Sequence, residues 1–386
     1  MVFSRWIVLV HGWSRQISGW IIANGLQTQR LESSLITNQL SCMTNGSRNK
    51  IKVKLRSKIL KGLFMRNKML IATQNGLRIF KRVNEFWEEH DHALTGMNIT
   101  AVGIAGDHGL VGTTEGVYVT RDSGESWKLE SDGITTPHVR WVSVHPQDPR
   151  YFYVGTEPAN IYTRLADDEK WRRSEEVARL RDQNDWYMPY SPNPGCVRGF
   201  AFYDNRIYAA VEVGGLLVSE DYGDTWELAA GSTGKPRQAP KEGQIDPEVH
   251  SVATHAASKD LVLAPTGGGF YISEDGGAHW SLKYDCYVRA VWLDPVNATH
   301  MLLGPADGVG KGGRIEHSTD GGETWHLVMD QIEDKWPNAM VERFFAAENE
   351  IYAILSNGKI LVARIGEFAW QYLLPDISNV NMLTLV

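Results

Sequence analysis

The segment Ser273-Glu-Asp-Gly-Gly-Ala-His-Trp280, which follows Gly269-Phe-Tyr-Ile272, decides how this 386-residue chain folds. Three other segments share its pattern, [Ser/Thr]-x-Asp-x-Gly-x-x-Trp: Thr120-Arg-Asp-Ser-Gly-Glu-Ser-Trp127, Ser219-Glu-Asp-Tyr-Gly-Asp-Thr-Trp226 and Ser318-Thr-Asp-Gly-Gly-Glu-Thr-Trp325. The Asp and the hydroxyl can accept hydrogen bonds from nearby amides, and the Gly supplies a positive φ. The pattern therefore predicts a tight turn between two strands, with the Trp filling the gap between neighbouring sheets. We predict a structural role for Asp122, Trp127, Asp221, Trp226, Asp275, Trp280, Asp320 and Trp325.

Three weaker copies keep the strand and the Trp but lack the Asp-x-Gly turn. The resulting series is Trp87, Trp127, Trp171, Trp226, Trp280, Trp325 and Trp370, with intervals of 40, 44, 55, 54, 45 and 45 residues. Repetition at this period is typical of a β-propeller with one four-stranded sheet per repeat. The sequence thus predicts an all-β, seven-bladed propeller.

The first blade lacks an innermost strand before Lys68-Met-Leu-Ile-Ala-Thr73, and the final residues Val380–Val386 can supply one. Such a closure would leave no open sheet edge. We therefore predict a propeller over residues 69–386. Residues 1–68 are predicted to be a disordered extension or to precede the true start at Met65 or Met69, and a basic arm for membrane or nucleic acid is the alternative.

The charge of the chain is divided unevenly. Residues 1–68 contain 12 Lys/Arg and one acid, so residues 69–386 retain 27 basic and 45 acidic residues of the totals of 39 and 46, a net charge of −18. An acidic body argues against nucleic acid and anionic membranes as partners of the propeller. No apolar run approaches the roughly 20 residues that a membrane span needs.

The cysteines, Cys42, Cys196 and Cys286, are too few and too scattered for a disulfide framework. This usage favours a reducing compartment, and the apolar run Trp6–Val10 is too short for a signal peptide. We expect a cytoplasmic monomer with no metal and no cofactor.

Alignment of the blades predicts a column of side chains at the mouth of the central channel. One end of the innermost strands contributes Asn381, Thr100, Arg140, Arg198, His250, Arg289 and Glu342. The adjoining ends of the second strands include Glu157 and Glu212. Because first and second strands are antiparallel neighbours, Arg140 should lie near Glu157 and Arg198 near Glu212. We call this face the top; it also carries the connections between blades.

This column permits three interpretations. The Arg–Glu pairs can be cross-strand ion pairs that only satisfy charge. Arg140, Arg198, His250 and Arg289 can instead bind a carboxylate or phosphate. Alternatively, Glu157 and Glu212 can act as acid and base in glycoside hydrolysis. On the same face, the insertion 181–195 contains Trp186, Tyr187 and Tyr190, which we predict to be exposed and to stack on sugar rings or partner side chains. The alternative is a loop that only plugs the channel.

The repeated turn resembles the Asp-box of bacterial BNR repeat proteins, a group that includes sialidase-like, sortilin-like and WD40/YVTN/BNR-like propellers. The resemblance covers residues 69–386. Sialidases have six blades and an Arg-Ile-Pro motif, which is absent here, whereas seven-bladed photosystem assembly factors with similar architecture are binding scaffolds. The resemblance implies a scaffold that binds a small anionic ligand, a sugar or a protein through its top face. A sialidase-like glycoside hydrolase is the alternative.

Overall fold

The computed structural model describes residues 66–84, 86–329 and 332–386. The described residues form seven four-stranded antiparallel sheets, each a blade of a β-propeller. The predicted fold class is confirmed. The predicted extension lies almost entirely outside the described residues, and the first strand begins at Lys68.

The strands of the first four blades follow one another along the chain. Blade 1 contains β1 Lys68–Thr73, β2 Gly76–Val83 and β3 Phe86–Ala93. Blade 2 contains β4 Ile99–Ala105, β5 His108–Thr113, β6 Gly116–Thr120 and β7 Lys128–Leu129. Blade 3 contains β8 Val139–Val144, β9 Tyr151–Thr156, β10 Ile161–Leu165 and β11 Arg172–Arg173. Blade 4 contains β12 Cys196–Tyr203, β13 Arg206–Glu212, β14 Gly215–Ser219 and β15 Glu227–Leu228.

The last three blades continue this order. Blade 5 contains β16 Ala253–His255, β17 Ser258–Thr266, β18 Gly269–Ser273 and β19 Ser281–Tyr284. Blade 6 contains β20 Tyr287–Leu293, β21 Met301–Ala306, β22 Glu316–Ser318 and β23 His326–Leu327. Blade 7 contains β24 Val341–Ala347, β25 Glu350–Leu355, β26 Ile360–Arg364 and β27 Gln371–Leu373.

The C-terminal strand β28, Val380–Leu385, completes blade 1. It pairs antiparallel with β1, and the Val386 amide donates to the Lys68 carbonyl over 2.8 Å. Leu383 and Leu385 are buried, so the closing strand contributes apolar packing as well as backbone hydrogen bonds. The predicted ring closure is confirmed.

The Asp-box turns adopt the predicted hydrogen-bonded form. In blade 5 the Ser273 hydroxyl donates to Asp275 Oδ1 over 2.9 Å, and it accepts the Gly277 amide over 2.8 Å. Asp275 Oδ1 also accepts the His279 amide over 2.8 Å. The buried Trp280 donates its indole N–H to the Gly277 carbonyl over 3.1 Å. Trp226 and Trp325 donate to a glycine of their own turns in the same way, whereas Trp127 Nε1 has no hydrogen-bond partner among the described residues.

A helix not expected from the sequence, α1 Glu175–Asn184, precedes the first long top-face loop. Ser174 caps it by accepting the Val177 amide, and two acidic residues in the first turn complement the helix dipole. The insertion predicted as a loop over 181–195 is therefore helical as far as Asn184.

The innermost strand of blade 5 begins after His250, which the sequence analysis placed on that strand. Val249 forms an isolated bridge to Thr266, and β16 begins at Ala253. The His250 amide donates to the Pro265 carbonyl over 2.9 Å. Because Pro265 has no N–H to donate in return, the ladder is interrupted beside His250.

Candidate functional site

The two Arg–Glu pairs predicted at the channel mouth form. Arg140 Nη1 lies 3.4 Å from Glu157 Oε2, and Arg198 Nη1 lies 3.0 Å from Glu212 Oε2. The Arg198–Glu212 pair is buried, since 11% of the Arg198 side chain and none of the Glu212 side chain is exposed. Removing either partner would leave the other as an unpaired buried charge.

Glu342 links blades across the central channel, a role that sequence reasoning did not assign to it. Its carboxylate lies 2.8 Å from Arg289 Nη1 in blade 6 and 3.5 Å from Arg198 Nη2 in blade 4. Blades 4 and 7 are not neighbours in the ring, so the second contact has to cross the channel. The mouth is therefore bridged by charged groups.

Glu212 is the carboxylate around which this network is arranged. Burial raises its pKa, but the positive charge of Arg198 and smaller contributions from its other neighbours outweigh that effect and hold the pKa of Glu212 at about 2. Its Oε2 atom also accepts the Cys196 thiol over 3.3 Å. Glu212 is therefore an ionised carboxylate at neutral pH.

Arg343 is a second residue of the mouth that sequence reasoning missed. Its guanidinium carbon lies 4.6 Å from the ring centre of Trp141 in blade 3, so the side chain extends from blade 7 across the channel. Its Nη1 atom is buried without a hydrogen-bond partner within the described ranges. Burial and the nearby Arg198 lower the pKa of Arg343 to about 9. Only a register-exact alignment of the innermost strands could have indicated this residue.

The loop after α1 contacts the mouth through Glu157. Ser191 Oγ donates to Glu157 Oε1 over 2.7 Å, and Asn193 Nδ2 lies 3.4 Å from the same atom. Because Glu157 Oε2 faces Arg140, both carboxylate oxygens are engaged. The loop thus lies at the edge of the arginine cluster.

Of the three aromatic residues predicted to be exposed in this loop, Trp186 is not. It is fully buried in an apolar cluster with Val197 and Val213, and its indole N–H donates to the Gly234 carbonyl over 2.8 Å. Its large apolar ring and single donor are both satisfied inside the protein. Tyr187 and Tyr190 are 50% and 61% exposed and remain available to a ligand.

His250 lies between two carboxylates. Its Nδ1 atom is 2.7 Å from the Val288 carbonyl oxygen, and its Nε2 atom is 3.2 Å from Glu248 Oε1 and 3.9 Å from Glu212 Oε1. The Tyr287 hydroxyl is 3.4 Å from the same Nε2 atom and accepts the Arg289 Nε–H over 2.8 Å. The predicted Arg198, His250 and Arg289 therefore belong to one connected network.

Comparisons with known proteins agree with this architecture. The BNR/Asp-box repeat family matches residues 316–327. A search of curated proteins by sequence gave no match. The chain is a seven-bladed β-propeller that carries BNR/Asp-box repeats.

Several solved structures share the fold. YCF48 bound to a D1 peptide is 16% identical, with a TM-score of 0.54 over 79% of this chain and 90% of that chain. YCF48 from Cyanidioschyzon merolae is 14% identical, with a TM-score of 0.51 over 78% and 96%. A GH74 xyloglucanase from Xanthomonas campestris is 14% identical, with a TM-score of 0.54 over 80% of this chain and 47% of that chain. This chain thus spans about half of the xyloglucanase, and these likenesses show the fold alone.

No helix within the described ranges is long and apolar enough to span a lipid bilayer.

Proposed function

We propose that this propeller is a binding protein that holds an anionic group, a carboxylate or a phosphate, at the top mouth of its central channel. The observation that carries the proposal is the Nη1 atom of Arg343, which is buried without a hydrogen-bond partner among the described residues. A buried polar group without a partner is destabilising, and an oxyanion would supply the missing acceptor.

The balance of charge at the mouth supports this function. Three guanidinium groups, of Arg140, Arg198 and Arg289, face the carboxylates of Glu157, Glu212 and Glu342. Arg343 adds a fourth guanidinium, and no ion pair of its own is found among the described residues. Arg343 is therefore the one guanidinium of these four that is not paired with a carboxylate. Guanidinium groups bind carboxylate and phosphate oxygens in bidentate fashion.

The first top-face loop carries exposed aromatic side chains. Tyr187 and Tyr190 expose aromatic surface there, and the Arg237 guanidinium stacks on Tyr187 at 5.4 Å. These groups suit a ligand that joins an anionic group to a sugar ring or a peptide side chain. One protein of the same fold, YCF48, was solved with a bound D1 peptide, which is consistent with a peptide carboxylate as the anionic group.

Glycoside hydrolysis is supported less well. That reaction uses one carboxyl group as a proton donor, and the low pKa of Glu212 keeps it ionised. Glu157 has both oxygens engaged by Ser191 and Arg140. Both candidate catalytic residues, Glu157 and Glu212, are thus ion-pair partners of Arg140 and Arg198.

The function is tested by thermal unfolding of the full chain with N-acetylneuraminate, galacturonate, inorganic phosphate and a neutral oligosaccharide. Two peptides are added, identical except for a free or an amidated C-terminus. We expect stabilisation by at least one anion, none by its neutral counterpart, and loss of the effect in Arg343→Met.

The matched control is Arg206→Met. Arg206 lies at the opposite end of the strand that carries Glu212, and its partner is Glu220. This variant should respond to the anion like the wild type. An equal response of Arg343→Met, or no response of the wild type to any anion, would contradict the proposed site.

A further inference from the structure

Three potential metal-ligand atoms meet beside the arginine cluster. One ligand atom each of Glu212, Glu248 and His250 lies within 4.8 Å of the other two, and His250 Nε2 faces Glu248 Oε1 at 3.2 Å and Glu212 Oε1 at 3.9 Å. Two are contributed by the segment preceding β16, and the third by the end of the neighbouring β13. The group draws on two adjacent blades.

The ring of His250 directs Nε2 into this group. Nδ1 is 2.7 Å from the Val288 carbonyl oxygen, which can only accept, so Nδ1 carries a proton. Nε2 faces two carboxylate oxygens at 3.2 and 3.9 Å. Without a metal these acceptors favour a proton on Nε2, and a bound metal ion would take the place of that proton. A carbonyl partner on the far nitrogen is the usual arrangement of a metal-binding histidine.

Glu212 provides an independent indication of a missing ligand. Its side chain is fully buried, and its Oε2 atom is occupied by Arg198 and the Cys196 thiol. Its Oε1 atom is buried without a hydrogen-bond partner in the described part of the chain. A buried carboxylate oxygen without a partner is costly, and this oxygen lies 3.9 Å from His250 Nε2.

We propose that Glu212 Oε1, Glu248 Oε1 and His250 Nε2 bind one divalent transition-metal ion, with Zn²⁺ as the best-suited candidate. A zinc ion about 2.0–2.2 Å from each ligand would separate tetrahedral ligand atoms by about 3.3 Å. The observed 3.2 and 3.9 Å lie close to this spacing. Mixed nitrogen and carboxylate donors favour zinc over magnesium.

The surroundings leave room for the ion and its ligands. A Cβ atom on Gly267 would lie 2.3 Å from Glu248 Oε2, so the glycine makes space for that carboxylate. Glu248 also lines a cavity of about 260 Å³ together with Asp246 and Arg237. Three protein ligands leave a coordination position open, as in zinc sites that bind water or a substrate group.

The neighbouring arginines do not engage every carboxylate of the site. Arg289 and Arg198 both contact Glu342, while Arg198 also contacts Glu212 through Oε2. Among the described residues, the carboxylate of Glu248 pairs with His250 and with neither of these guanidinium groups. The charge of Glu248 therefore favours a cation at the Oε1 side of Glu212.

The test uses the full chain after treatment with EDTA and removal of the chelator, with no anionic ligand added. Isothermal titration with ZnCl₂ and metal analysis after gel filtration should give one equivalent of zinc, and MgCl₂ should give no binding. Because no anion is present, this result is independent of the proposed function.

Variants locate the ion. Glu248→Gln removes a ligand whose side chain is 37% exposed, so the fold should tolerate it, and we expect zinc affinity to fall by about 100-fold. Gly267→Ala should weaken binding by about 10-fold, as expected for a group that positions a ligand. Glu242→Gln, an exposed acid in the same segment, is the control and should bind like the wild type. Failure of the wild type to bind zinc, or wild-type affinity in Glu248→Gln, would overturn the proposal.

Discussion

Replacing Arg343 with methionine should make the protein more stable while abolishing anion binding. The guanidinium spans the channel to Trp141, has a buried nitrogen without a partner among the described residues, and lies in the field of Arg198. A guanidinium keeps its proton in proteins, so the lowered pKa of Arg343 expresses a free-energy cost of keeping the charge there. Methionine has a similar length and removes the charge.

The magnitude follows from the burial of the charge. Exchange of buried charged groups for apolar ones is neutral or stabilises by about 1–4 kcal/mol. A body of about 320 residues has an unfolding entropy of about 0.7 kcal mol⁻¹ K⁻¹, so Tm should rise by up to about 6 °C. An anion at 100 times its Kd should stabilise the wild type by about 2.7 kcal/mol, or about 4 °C, and the variant not at all.

Differential scanning calorimetry of wild type, Arg343→Met and Arg206→Met, with and without the anion, measures both effects. Arg206→Met removes a guanidinium already paired with Glu220, so it should not raise Tm. A lower Tm for Arg343→Met would refute the reasoning, because it would mean that the guanidinium is already satisfied in the free protein.

Three further predictions concern the scaffold. Hydrogen bonds, first that from the Ser126 hydroxyl, hold the pKa of Asp122 at about 2, below its ordinary 3.8. Their contribution to stability should be complete above pH 3.8 and disappear as pH falls towards 2. Urea denaturation should therefore give an unfolding free energy about 1 kcal/mol lower for Asp122→Ala than for wild type at pH 6, and a smaller difference at pH 3. Trp186→Ala should destabilise by about 3–5 kcal/mol, whereas the half-exposed Tyr187→Ala should change stability by less than about 1 kcal/mol in the same denaturation assay. Leu383→Ala, in the closing strand, should cost about 2–5 kcal/mol of unfolding free energy, and a midpoint equal to that of wild type would contradict the role of β28 in closing the ring.

The sequence alone determined the blades, their number and the closure of the ring. These features depend on local chemistry. The Asp-box turn is specified within eight residues, as Ser273, Asp275 and Gly277 show. Within a strand, side chains alternate between the two faces of the sheet, so strands can be recognised from the order of their residues. The pairing of Arg198 with Glu212 was also predictable, because adjacent antiparallel strands place their ends side by side.

Only the tertiary structure decided which side chains meet across the channel or between loops. The contacts of Glu342 with Arg198 and of Arg343 with Trp141 join blades that are not neighbours. The prediction that Trp186 is exposed was wrong, because its indole N–H is bonded to the Gly234 carbonyl in the connection between β15 and β16. The repeat in the sequence determines which strands pair within a sheet. The distance of each innermost strand from the channel axis and the path of each loop depend on the packing of the whole propeller.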